Sequence, residues 1–217
     1  MQFNLSMTAT WTNRLIAALA STALLACGGE SIKGNAPSDA ASLNWPKSNL
    51  TTHEYKEWVT QADNGFVRSK KIDAITFKAS YVTSEMKAIR SLGVAAEDIE
   101  LRRKESELFA ELEFYQLTIT ANGFQDELLK FQLDSQEDYQ GRVQYYGFYA
   151  NQDALLVCGG DTINCPVHTW ERTYDAINSV VLEFAFPAAT LKDCLNEQRE
   201  MIYTDRVFGN GPIHFRF

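Results

Sequence analysis

VVLEFAF, residues 180–186, places Val180, Leu182, Phe184 and Phe186 at every second position of the chain. Successive side chains of a β-strand point to opposite faces of its sheet, so this period predicts a strand with one apolar face turned towards a core. The pattern is the most regular alternation in the sequence. It indicates a fold that is built mainly from strands.

Other segments repeat this alternation on both sides of residues 180–186. The apolar positions alternate along residues 75–82, 129–133 and 213–217. Asn64-Gly65 and Asn122-Gly123 supply tight-turn signals, because Asn and Gly accept the positive φ that such turns need. We therefore expect hairpins.

Further strands are predicted in the second half of the chain. Residues 142–149 read RVQYYGFY and are predicted as an aromatic strand. Residues 153–158 and 166–174 are predicted to form the next pair of strands.

Helical patterns interrupt the strands in two places. Residues 84–110 are rich in Glu, Lys, Arg, Ala and Leu and predict two helices, the second mainly solvated. Thr51 and Glu54 fit a capping box at the start of a short helix, although a strand through Tyr55 and Val59 is the alternative. The predicted fold class is mainly β, an antiparallel sandwich or partly open barrel built from hairpins, with a helical insertion around residues 84–110.

The N-terminal segment predicts where the protein is located. LIAALASTALLAC, residues 15–27, is an uncharged apolar run that follows Arg14 and ends in a small residue before Cys27, as in a secretory signal. It is shorter than the roughly 20 apolar residues that span a bilayer. Leu24 to Cys27 resembles the lipobox of bacterial lipoproteins, whose cysteine is diacylated. An ordinary signal peptide, with Cys27 incidental, is the alternative.

These features divide the chain into three parts. Residues 1–26 are predicted as a lipoprotein signal peptide, and residues 27–44 as the acylated Cys27 followed by a flexible tether. The seventeen residues 28–44 are composed mainly of small and polar types. Such a segment has an end-to-end distance of about 20–25 Å. Residues 45–217 are predicted as a single β-rich domain.

The charge balance restricts the partners of the chain. The formal net charge is −8, and removal of residues 1–26 takes away one basic residue, Arg14, and no acidic one, which leaves −9. The basic cluster that the sequence shows is Arg102-Arg103-Lys104. Nucleic acid and anionic lipid surfaces would repel such a chain, so we expect no nucleic-acid partner and attachment to the membrane through the N-terminal lipid.

The cysteines are expected to form at most one bridge in the exported domain. Acylation of Cys27 leaves Cys158, Cys165 and Cys194, which is an odd number. Cys158 and Cys165 flank the turn-like stretch GGDTIN and are a candidate disulfide across a hairpin. Three small buried residues without a bridge are the alternative.

The densest cluster of reactive side chains is His168-Thr169-Trp170-Glu171-Arg172. A hydrolase that uses Asp161, Cys165, His168 or Glu171 is an alternative function. On a strand, residues i and i+3 point to opposite faces, so His168 is poorly placed to activate either Cys165 or Glu171. No zinc spacing links the three histidines (His53, His168 and His214). We expect no catalytic residues, metal site or cofactor.

Aromatic side chains supply the candidate binding surface. Tyr145, Tyr146, Phe148 and Tyr149 lie close together in the sequence, and Trp170 lies in the reactive cluster. Rings on both faces of the predicted strand leave some of them exposed to bind a glycan or another envelope protein. A strand buried on both faces is the alternative.

The chain resembles an uncharacterised family of small bacterial lipoproteins. The resemblance starts with Tyr55-x-x-Trp58-Val59 and Asn64-Gly65 and continues with Ile75-x-Phe77-x-x-Ser80-Tyr81, Asp161-Thr162-x-x-Cys165 and Glu171-Arg172-x-Tyr174. It ends with DRVFGNG, residues 205–211. It implies a membrane-attached, mainly β domain and supplies no functional residues.

The sequence therefore predicts a lipid-anchored binding or assembly module of the bacterial cell envelope. Gly28, with no Asp after Cys27, resembles sorting to the outer membrane, on its periplasmic or surface side. A cell-envelope hydrolase and a purely structural lipoprotein are the alternatives.

Overall fold

The computed structural model describes residues 43–47, 49–171, 178–190 and 198–217, which all belong to the unit Ser38–Phe217. The predicted signal peptide and Cys27 lie outside the described residues. The described strands are β1 (Val67–Ile72), β2 (Ile75–Val82), β3 (Leu112–Ala121), β4 (Ala154–Cys158), β5 (Asp161–Asn164), β6 (Val167–Trp170), β7 (Ser179–Pro187), β8 (Arg199–Asp205) and β9 (Gly211–Arg216). The described α-helices are α1 (Thr52–Thr60), α2 (Ser84–Leu92), α3 (Ile99–Glu107) and α4 (Gln136–Gln144).

The strands form two antiparallel sheets. The first has the order β1-β2-β3-β7-β6, and the second has the order β5-β4-β8-β9. Residues 180–186 lie in β7, which pairs with β3 on one side and β6 on the other. Its four alternating residues are buried, as their period predicted. The mainly β, antiparallel fold class with helical insertions is confirmed, and the sheets do not close into a barrel.

The inner faces of the two sheets share one hydrophobic core. Phe184 of β7 lies 6.0 Å from Tyr203 of β8 between ring centroids. Tyr115 of β3 lies 5.4 Å from Phe217, which follows β9. All four residues are buried, and burial of rings of this size supplies much of the hydrophobic free energy of a domain.

The predicted helical insertion covers part of the outer face of the five-stranded sheet. Thr83 caps α2 by accepting a hydrogen bond from the backbone N–H of Met86, and Asp98 caps α3 in the same way. A second core is formed by residues of α1, α2 and the sheet, and it includes Tyr55, Val59, Phe66, Val82, Met86, Ile89 and Phe114. Thr51 and Glu54 form the complete capping box of α1, so the helical interpretation of this segment is correct.

Two predicted strands and one predicted pairing of strands are wrong. Residues 128–130 form a 3₁₀ turn, and residues 142–149 belong to α4 and a π-helical turn. β4 pairs with β5 and β8, whereas β6 pairs with β7 in the other sheet. β4 and β6 are strands, as predicted, but their partners depend on contacts between residues far apart in the sequence.

Candidate binding surface

The aromatic segment of the candidate surface follows a capped helix. The Ser135 hydroxyl accepts a hydrogen bond from Asp138 N at 3.1 Å and starts α4. The chain then forms a π-helical turn, Tyr145–Tyr149, and a 3₁₀ turn, Ala150–Asp153. π-Helical turns are rare and occur often at functional sites.

Two rings of this turn are exposed, and we call Phe148 and Tyr149 the aromatic platform. Their side chains are 73% and 51% exposed. The ring centroids lie 6.5 Å apart with the planes at 66°. The platform therefore presents two adjacent rings to a partner.

The three other residues of the predicted surface are buried or half-buried. Tyr146 is buried, and Trp170 packs against it with 6.0 Å between ring centroids. Tyr145 is half-buried. Burial raises the pKa of both tyrosines. The hydroxyl of Tyr146 has no hydrogen-bond partner among the described residues. These three side chains are therefore not part of the exposed platform.

The turn is fixed by the buried carboxylate of Asp153. The Tyr145 hydroxyl donates to Asp153 Oδ2 at 2.9 Å. Arg206, which follows β8, places Nη2 2.7 Å and Nε 2.8 Å from Asp153 Oδ1. Charge-assisted hydrogen bonds of this kind are strong. Asp153 thereby links the turn that carries the platform to the end of β8.

The side chains that the alternative function, a hydrolase, would use do not form one site among the described residues. The Cys165 thiol donates to Val167 O at 3.1 Å, and burial raises its pKa to about 11. His168 Nε2 lies 2.8 Å from Tyr146 O and must donate, because a carbonyl oxygen only accepts. Asp161 and Glu171 are exposed. These contacts fix Cys165 and His168 on separate backbone carbonyls.

The predicted Cys158–Cys165 disulfide is wrong. Cys165 is a free, buried thiol, whereas Cys158 is disulfide-bonded. Cys165 N donates to Ala154 O, so Cys165 lies beside the residue four positions before Cys158, about 13 Å along β4. A disulfide needs Cα atoms within about 7 Å. The other cysteines, Cys27 and Cys194, lie outside the described residues.

The DRVFGNG segment of the resemblance, residues 205–211, contains the turn between β8 and β9. Asp205 is 2% exposed, and its carboxylate accepts hydrogen bonds from the backbone N–H groups of Val207, Phe208 and Asn210. Gly209 has φ 73°, a conformation that glycine adopts without strain. These contacts give Asp205 and Gly209 a structural role in the turn.

The described residues contain no group of three or more His, Cys, Asp or Glu side chains arranged to hold a metal ion. No helix in this part of the chain is both long and apolar enough to cross a membrane.

In comparisons with known proteins, no family model matches the chain, and no curated protein or solved structure is significantly similar to it. The resemblance to small lipoproteins stays a prediction.

A helical signal in the sequence identifies the segment that was predicted as a strand. Tyr139, Val143, Tyr146 and Ala150 recur at intervals of four and three residues, and all four pack on the main core. The window RVQYYGFY, read alone, starts too late to show this period. The platform then follows from helical geometry, because Phe148 and Tyr149 lie off the buried stripe.

Proposed function

We propose that this chain is a lipid-anchored lipoprotein of the bacterial cell envelope that binds a partner through the aromatic platform. The lipobox ending in Cys27 supports the anchor, and Gly28 supports the outer membrane as its location. The observation that carries the binding role is the exposure of Phe148 and Tyr149 on one structured turn.

Exposed adjacent rings favour association with a partner. Covering a large apolar side chain contributes roughly 1.5–3 kcal/mol. Tyrosine and other aromatic side chains are concentrated at interfaces, because they combine a large apolar area with few rotatable bonds. Phe148 and Tyr149 have this character.

The supporting contacts reduce the entropy that binding has to overcome. Asp153 holds Tyr145 and Arg206, and Tyr146 packs against Trp170. The turn is therefore ordered before a partner arrives. Ordering costs about 0.5–1.5 kcal/mol for each side chain that is immobilised on binding, and a preformed surface avoids part of that cost.

Crosslinking in cells tests the platform. The tagged wild type is expected to capture one stoichiometric envelope protein, and the F148A/Y149A variant is expected to lose it. Leu108→Ala is the matched control, because Leu108 is also 73% exposed but lies next to α3. Equal capture by F148A/Y149A and wild type contradicts the binding role. No captured protein, and no bound glycan in a screen of the same two variants, favours a purely structural lipoprotein.

A separate substitution tests the anchor. Cys27→Ser removes the thiol that is acylated, so we expect an unprocessed protein that incorporates no labelled palmitate. Normal processing and membrane attachment of this variant would show that the anchor is wrong. The crosslinking result does not depend on this outcome.

A further inference from the structure

The β1–β2 hairpin concentrates positive charge in an acidic chain. Residues 67–82 contain four basic side chains, Arg68, Lys70, Lys71 and Lys78, and one acidic side chain, Asp73, whereas the whole chain has a net charge of −8. β1 is an edge strand of its sheet. Side chains from both faces of an edge strand reach the same border of the molecule.

The three lysines are exposed, and Lys70, which pairs with Phe77, lies on the other face of β1 from Lys71. Lys78 pairs across the hairpin with Ser69, and Lys71 pairs with Thr76, so Lys71 and Lys78 are diagonal neighbours on the outer face of the sheet. Lys70 lies between Ser69 and Lys71 on the edge strand and is also exposed. Within the described part of the chain, none of the three ammonium groups forms an ion pair.

The basic run Arg102-Arg103-Lys104 has a different environment from the lysines of the hairpin. Arg102 is 1% exposed and lies 2.9 Å from Glu85 Oε1 through its Nε. Arg103 forms an ion pair with Glu100. Much of the charge of this run is therefore neutralised, whereas the lysines of the hairpin present theirs to solvent.

The N-terminal part of the described chain lies beside the start of the hairpin. Asn44 N donates to Asn64 O at 3.0 Å, and the two side chains bond at 3.0 Å. Asn64 precedes β1 by three residues. Trp45 is exposed and packs against Phe66 with 5.5 Å between ring centroids. Leu43, the first described residue, is 16 residues from Cys27 in the sequence, so a lipid on Cys27 would tether the domain to a membrane.

We propose that Lys70, Lys71 and Lys78 dock the domain on the anionic lipid headgroups of the membrane that holds its anchor. The inference rests on the proposed lipid anchor, which supplies the proximity. A lysine near an anionic bilayer strengthens binding about fivefold, so three give roughly 100-fold. The acidic remainder of the chain is repelled by the same headgroups, and the two effects together orient the domain with the hairpin towards the membrane.

Vesicle cosedimentation of the full chain carrying Cys27→Ser tests the docking without the acyl chains on Cys27. The probes are vesicles of equal parts phosphatidylglycerol and phosphatidylcholine, and vesicles of phosphatidylcholine alone. We expect binding to the anionic vesicles that falls as salt is added, and a decrease of about 100-fold in K70Q/K71Q/K78Q. All variants contain the same apolar leader, so its contribution cancels in the comparison.

The control variant K56Q/K104Q/K130Q makes the same change in net charge at lysines outside the hairpin. It is expected to bind within about twofold of the parent, because screening limits distant charges. Equal loss in both triple variants, or none in the hairpin variant, overturns the proposal. Binding to soluble dextran sulfate but not to the anionic vesicles overturns it as well.

The proposed lipid anchor and the proposed docking surface are tested by different measurements. If wild-type Cys27 incorporates no palmitate while the unacylated chain still binds anionic vesicles through the hairpin lysines, the proposed lipid anchor is wrong and the docking surface stands. If Cys27 is acylated and the hairpin variant binds vesicles like the control, the anchor stands and the docking surface is wrong.

Discussion

Arg199 Nη1 of β8 lies 2.8 Å from Glu113 Oε1 of β3, so an ion pair joins the two sheets. Both side chains are nearly buried, at 13% and 12% exposure. The Tyr115 hydroxyl donates to the other carboxylate oxygen at 3.3 Å, and the Arg199 guanidinium lies 5.8 Å from the centroid of the Tyr81 ring. Burial raises the pKa of Glu113 against the opposing effect of Arg199, which shows that desolvation is the larger effect.

Removal of one partner of this pair is expected to destabilise the protein. Arg199→Ala leaves Glu113 without its counter-ion between the sheets and should lower the free energy of unfolding by about 3 kcal/mol. The double variant E113Q/R199M removes both charges and should recover part of that loss. Urea denaturation of Glu113→Gln, Arg199→Met and the double variant measures the coupling. Additive effects of the single substitutions would contradict an energetically coupled pair.

The buried arginine of α3 and its neighbour provide a matched comparison. Arg102 is 1% exposed, donates to Leu50 O at 2.7 Å and pairs with Glu85, whereas the side chain of Arg103 is 71% exposed. Arg102→Ala should lower the free energy of unfolding by about 3 kcal/mol, and Arg103→Ala by less than about 1 kcal/mol. Thermal or urea unfolding of both variants checks this. A similar cost for the two would contradict the structural role of Arg102.

Tyrosines that folding removes largely from water, such as the half-buried Tyr81, are expected to make the fold sensitive to alkali. Burial raises the pKa of Tyr81 from 10.0 to about 12. A group whose pKa is raised by folding contributes stability that is fully present below its unfolded pKa and is lost as the pH rises through its folded pKa. The free energy of unfolding should therefore fall between pH 10 and about 12, by roughly 1.4 kcal/mol for each pH unit and each such tyrosine.

Tyr81→Phe removes one titrating hydroxyl and should make this pH dependence less steep. Urea denaturation at a series of alkaline pH values measures the slope, and the ultraviolet absorbance of tyrosinate shows whether ionisation accompanies unfolding. Identical slopes for Tyr81→Phe and the wild type would contradict the prediction.

The thiol of Cys165 is expected to react slowly in the folded protein. Its side chain is buried, and its pKa of about 11 leaves little thiolate at neutral pH. A thiol reagent should label it at a useful rate only after denaturation. Cys165→Ala should reduce the thiol count of the denatured, unreduced protein by one. Rapid labelling that this variant removes would show that Cys165 is accessible, contrary to the structure.

Local sequence patterns predicted the structure correctly where the pattern lies within one helix or strand. The alternation at 180–186 predicted a strand with one buried face, and β7 has that face. Thr51 with Glu54 predicted the start of α1, because a capping box is closed by residues only three positions apart. The helical character of residues 84–110 was also correct, although the sequence did not show that Arg102 is buried.

The exposed residues of the candidate binding surface could not be predicted from residues 142–149 alone. Residues 142–149 are rich in aromatic types that favour strands, but the capped start at Ser135 extends α4 into the π-helical turn. Five residues were predicted for the binding surface, and the structure exposes the rings of Phe148 and Tyr149 while Tyr146 lies in the core. Helical geometry places Tyr146 on the buried stripe and leaves Phe148 and Tyr149 off it, and Tyr146 also packs against Trp170, which is distant in the sequence.

The sequence by itself determined that the chain is mainly β, because the period of apolar residues follows directly from the geometry of a strand. Only the tertiary structure decided which strands are partners, that Cys165 stays free, and that positive charge gathers at Lys70, Lys71 and Lys78. Each of these depends on the register between strands or on burial by remote segments. A one-residue change of register reverses the face of every side chain, and no local pattern specifies the partner.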